Sequence, residues 1–144
     1  MTEVPPPEPL TAHAPGVWIK PSWVRFFGLT LQTRMVVLQA GDGLLLYSPT
    51  PKEPDAQTLA ELATIGTPRW LLAPNEIHNI GLRGFQSAFP KAHTTGCRGH
   101  PVRVPDVRFD LLLDTTTSAE TPPWTAGDAL RFHVIGGNAL LHEV

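Results

Sequence analysis

The stretch Leu71-Leu72-Ala73-Pro74-Asn75-Glu76-Ile77-His78-Asn79-Ile80-Gly81 decides how this chain is read. Its first part belongs to Arg69-Trp70-Leu71-Leu72-Ala73, a short apolar run closed by Pro74, which predicts a buried strand. A polar loop, Asn75 to Asn79, follows at once. In α/β sheets ligands sit beyond the carboxyl ends of strands, so this loop stands where a site is expected. Glu76 offers carboxylate oxygens and His78 an imidazole, and both groups bind metals. A plainer role competes: Asn75, Glu76 and Asn79 also suit a helix N-terminus, where side-chain acceptors and negative charge are favourable. Two donors do not complete a zinc site, which takes four ligands, or three and a water.

Upstream, Thr33 to Ala40 predicts a strand, Gly41-Asp42-Gly43 a tight turn and Leu44 to Ser48 the return strand of a hairpin. Val17 to Phe27, rich in large apolar residues, predicts an irregular strand broken by Pro21. A helix is expected from Asp55 to its Gly66 stop, with Leu59, Leu62 and Ala63 on one face. Downstream, Ile80 to Ala88 predicts a second helix and Ala92 to Thr95 a strand. Val107 to Leu111 and Leu130 to Ile135 alternate apolar and polar residues, the period of half-buried strands. Thr115 to Pro123 reads as a loop and Gly136-Gly137-Asn138 as a turn, and Ala139 to Val144 begins another strand at which the chain looks interrupted.

Other chemistry-bearing residues are sparse. His93, Cys97 and His100 have a spacing at which imidazoles and a thiolate can hold zinc, although Gly96 and Gly99 point to a surface loop with a free thiol. His133 and His142 fall on alternating segments and are expected to face solvent or satisfy a hydrogen bond. The four tryptophans are expected in core or rim packing. Arg98, Arg103 and Arg108 are diluted by Asp106 and Asp110, which predicts a solvated face.

The hairpin from Arg34 to Ser48, followed by Leu71 to Gly81, resembles the metallo-β-lactamase-like superfamily, and a branch of it described only as a domain of unknown function. The resemblance covers residues 17–144 and includes Phe89-Pro90-Lys91-Ala92. It implies an α+β fold, a four-layer αβ/βα sandwich of two similar halves, represented here mainly by the N-terminal half. Residues 1–16 are expected to be a flexible lead-in. The superfamily carries His-x-His-x-Asp-His and then Ile-Gly-Gly at the end of such a strand. Laid on this chain without gaps, Pro74, Glu76, His78 and Asn79 take the four ligand positions, and Ile80-Gly81 the Ile-Gly. Only Glu76 and His78 keep ligand chemistry.

The resemblance therefore implies a protein with a degenerate metal motif and no autonomous catalysis. Its alternative is a metal-dependent hydrolase in which Glu76 and His78 bind zinc and a second half or another copy supplies the remaining ligands. Such a metal lowers the pKa of bound water to make a hydroxide nucleophile. Self-association, or docking of a second half, is expected through the terminal strand, whose edge would be unpaired.

Composition sets the outer bounds. The 144 residues suit one domain, and 42% hydrophobic residues suffice for a core. Eleven basic and thirteen acidic residues give a net charge of −2, which argues against a nucleic-acid binder. A single cysteine excludes an internal disulfide framework. Sixteen prolines, about twice the usual share, disfavour a helical bundle. No apolar stretch approaches the ~20 residues of a spanning helix, and the N-terminus lacks the pattern of a signal peptide. A cytoplasmic location without membrane contact is expected.

Overall fold

A computed structural model describes residues 3–114, 124–125 and 130–135. Its strands are β1 (Thr11–Ala14), β2 (Val17–Phe26), β3 (Leu29–Ala40), β4 (Gly43–Tyr47), β5 (Pro68–Leu72), β6 (His93–Cys97) and β7 (Leu111–Leu113). Helices α1 (Ala56–Ile65), α2 (Leu82–Ala88) and α3 (His100–Arg103) lie between the later strands. The strands form one seven-stranded sheet in sequence order. Pairing is antiparallel from β1 to β4 and parallel from β4 to β7.

That order explains where the helices go. Parallel crossovers are right-handed, and three of them advancing in one direction put their connections on the same face. On this face Met35, Val37, Leu44, Leu46 and Leu71 of the sheet pack on Leu62 of α1 and on Leu82 and Phe85 of α2. Each such side chain contributes about 1.5–3 kcal/mol through burial. The other face holds Leu45, Leu72 and Leu113 under Trp124, with Leu130, Phe132 and Val134 against them. Central strand β4 is therefore apolar on both faces, which is why Leu44-Leu45-Leu46 does not alternate.

The turn Gly41-Asp42 joins β3 to β4, as the sequence predicts. Helix α1 also starts as predicted: the Asp55 carboxylate accepts from the Thr58 backbone N–H at 2.7 Å, and Gly66 closes the last turn. Its buried face is set by Thr58 and Leu62, while Leu59 and Ala63 are exposed.

Several expectations are corrected. Pro21 does not break β2. The Glu8 N–H donates to the Pro21 carbonyl, and a strand residue's N and O point the same way. The missing N–H of Pro21 therefore faces away from β3, and no ladder bond to β3 is lost. Strand β3 begins at Leu29, four residues earlier than expected, because Phe27 and Gly28 both take positive φ and turn the chain in two residues. Pairing also reaches into the expected lead-in. β1 joins β2, and the buried Lys20 Nζ donates to the Glu8 carbonyl at 2.8 Å and to Glu61 Oε2 of α1 at 2.6 Å.

Near the C-terminus, only Leu111–Leu113 pairs as β7, and Val107 and Phe109 instead turn into the helix-side core. Leu130 to Ile135 is not a regular strand, although its alternate residues Leu130, Phe132 and Val134 do pack inward. Alternation reports an extended segment with one buried side, and that condition is met without a ladder. The predicted Thr115–Pro123 loop, Gly136–Asn138 turn, Ala139–Val144 strand and His142 lie outside the described residues. No helix among the described residues is long and apolar enough to cross a membrane.

Candidate functional site

The loop after β5 is built around Asn75, whose side chain is buried. Asn75 Oδ1 accepts from the backbone N–H groups of Ile77 at 3.1 Å and His78 at 3.0 Å. These two bonds fix the orientation of the amide, so its Nδ2 is the atom 3.0 Å from His78 Nδ1. An amide nitrogen is a donor, so His78 Nδ1 must accept, and the neutral ring carries its proton on Nε2. A metal-bound imidazole has the opposite need: one nitrogen gives its lone pair to the metal and the other donates its N–H outward. Here Nδ1 faces a donor. Ligation through Nε2 would require Asn75 to flip and give up both backbone bonds.

Glu76 is committed elsewhere. Its Oε2 pairs with Arg103 Nε of α3 at 3.1 Å. The carboxylate lies over Gly99, on the space a Cβ would fill, so a glycine is what lets it approach. Glu76 is not among the residues lining the cavity that His78 faces.

His100 locks the same loop from below. It is fully buried and stacks on Phe109 with ring centroids 5.4 Å apart. The Cys97 backbone N–H donates to His100 Nδ1 at 2.7 Å, so Nε2 holds the proton and donates to the Asn75 carbonyl at 3.0 Å. Both ring nitrogens are used. Burial pushes the His100 pKa below its ordinary value, against the opposing pull of its bond to Asn75. Cys97 is buried, with Sγ 3.6 Å from the Pro74 carbonyl oxygen. His93 and Cys97 sit at opposite ends of β6, about 13 Å apart at the usual rise per residue, so His93, Cys97 and His100 do not converge on one ion. Among the described residues no group of three or more His, Cys, Asp or Glu could hold a metal. This donor set does not fit a zinc ion.

Beside the loop lies a cavity of about 370 Å³, lined by Gln32, Thr33, Arg34, Ser48, Pro49, Thr50, His78 and Ile80. Ser48, just past β4, takes a φ of +54°, a conformation that an ordinary residue adopts at a cost. Gly81 brings the loop against this wall, since a Cβ there would collide with the backbone oxygens of Pro49 and Pro51. Sequence reasoning missed Arg34 and Ser48. The available signals were a cation beside the apolar run Met35–Leu38 and a polar residue at the carboxyl end of β4. It also missed the Glu76–Arg103 pair, which no local pattern announces.

This sheet, with its helices on one face and a loop at the carboxyl end of β5, is the metallo-β-lactamase-like fold over part of its extent. A metallo-β-lactamase from Hirschia baltica matches with a TM-score of 0.57 at 15% identity, over 78% of this chain and 54% of that one. The metallo-β-lactamase FIM-1 from Pseudomonas aeruginosa, in a mono-zinc form, matches with a TM-score of 0.55 at 16% identity, over 82% and 57%. The metallo-β-lactamase DIM-1, exposed to ceftazidime, gives 0.59 at 12% identity, over 78% and 53%. The chain thus spans about half the length of the solved structures it matches. No family model and no curated protein matches the sequence.

Proposed function

We propose that this chain is a metallo-β-lactamase-like module without autonomous hydrolysis, in which the loop after β5 is a structural joint. The observation that carries this reading is the loop's bonding. His78 Nδ1 accepts from Asn75, Glu76 pairs with Arg103, and both nitrogens of His100 are engaged. Glu76, His78 and His100 each hold the loop to itself or to α3. Activity would then need a second half or another copy, and this chain would serve as a docking partner for it. The test is turnover of a chromogenic β-lactam with zinc added. The account expects rates no greater than those of zinc in buffer. Zinc-dependent turnover abolished by His78→Ala would overturn it.

A second reading is a hydrolase completed by a partner that supplies the missing zinc ligands. It is favoured by one observation, the exposure of His78 at a cavity. It requires the Asn75 amide to reverse, so Asn75→Asp, which supplies an acceptor to Nδ1, should strengthen zinc binding under this reading and not under the first.

A further inference from the structure

We propose that the cavity between the start of the Ser48–Thr50 segment and the loop after β5 is an oxyanion site, fitted to a phosphate or carboxylate group on a small ligand. Its occupant is set by what lines it. Arg34 is exposed and has no ion-pair partner among the described residues, unlike Arg69, Arg83, Arg98, Arg103 and Arg108. A guanidinium presents a fork of N–H donors matched to two oxygens of a carboxylate or phosphate. His78 adds a second donor. Its proton sits on Nε2 because Asn75 occupies Nδ1 with an amide N–H.

Ser48 also lines the cavity, in a positive-φ conformation that a serine adopts at a cost. Strained residues cluster at sites where strain positions a group. No carboxylate lines the cavity. The lining residue Gln32 donates to the Glu8 carboxylate at 3.1 Å. A metal cation placed here would meet the Arg34 charge and no carboxylate, whereas an anion would meet a fixed charge and an N–H. The volume leaves room for an organic remainder beyond the anion itself. The proposal stands apart from the question of hydrolysis, because anion binding is measured without zinc or turnover.

The test titrates inorganic phosphate, and acetate in a parallel arm, into ¹⁵N-labelled full-length chain, following the Arg34 Nε–H and His78 ring signals. The account expects saturable shifts at both residues. It also expects at least tenfold weaker binding in Arg34→Gln, and unchanged binding in Arg69→Gln, whose ion pair with Asp42 lies elsewhere. Tighter phosphate would identify a phosphorylated ligand and tighter acetate a carboxylate. Either arm supports the proposal. Linear, non-saturating shifts in both arms, or equal affinity in Arg34→Gln, would overturn it.

Discussion

Replacing His100 by Ala should be among the most damaging single changes to this fold. The ring has no exposed surface, so water does not share its work. Its removal takes the His100 acceptor from the buried Cys97 N–H and one of two donors from the Asn75 carbonyl, which keeps the His78 N–H at 3.2 Å. An orphaned buried polar group costs about 1–3 kcal/mol. The space beside Phe109 adds a cavity term, so the whole loss is about 2–4 kcal/mol. A domain is typically stable by ~5–15 kcal/mol, so the variant should lose a large share of its stability.

Urea denaturation followed by tryptophan fluorescence reads this loss as a lowered midpoint at unchanged slope. The pH dependence supplies a second readout. The folded His100 pKa lies below its ordinary value of 6.5. Between the folded pKa and 6.5 the unfolded chain binds more protons, so wild-type stability falls as pH drops below 6.5. His100→Ala should lose that component of the slope. A variant destabilised by less than ~1 kcal/mol, with the wild-type pH profile, would refute the assignment of His100 as the lock.

Three further outcomes follow from the packing. Lys20→Met removes a fully buried ammonium and leaves Glu61, 21% exposed, to be hydrated, so it should cost about 1–3 kcal/mol by urea denaturation. Burial works to raise the Glu61 carboxyl, but bonds from Lys20 and Gln57 outweigh it and hold the pKa below 4.5. That stabilisation is present above pH 4.5 and lost as pH falls through the folded pKa, so the variant should show a shallower acid transition. Asp55→Ala deletes the cap on α1 and should cost about 1 kcal/mol, read as a lowered thermal midpoint. Gly81→Ala drives a Cβ into backbone oxygens and should cost about 2–4 kcal/mol, whereas Gly99→Ala meets only the flexible Glu76 carboxylate and should cost less than ~1 kcal/mol. Paired urea titrations compare the two.

What could be read ahead of the structure follows a physical line. The β3–β4 hairpin, α1 and β5 announce themselves because their signals are local: a Gly-Asp-Gly turn, an Asp cap, a Gly stop and an apolar run before Pro74. The helix face follows from crossover handedness once the strand order is known. β1 was hidden because Thr11–Ala14 is fully exposed and carries no apolar pattern. The Phe27-Gly28 turn was hidden because an aromatic residue rarely takes positive φ. The loop after β5 stands at the carboxyl end of its strand, as its sequence predicts, but the bonding of Glu76 and His78 depends on Arg103, Gly99 and the Asn75 amide. Arg103 lies 27 residues from Glu76, and such pairings have no period or spacing to betray them.

The loop's bonding turns on the ring protons of His78 and His100, and long-range ¹H–¹⁵N spectra of the ring nitrogens report them. His78 and His100 should both carry the proton on Nε2, and one equivalent of zinc should change neither ring. A His78 ring protonated on Nδ1, or a His78 Nε2 signal that moves to a metal-bound position as zinc is added, would contradict it.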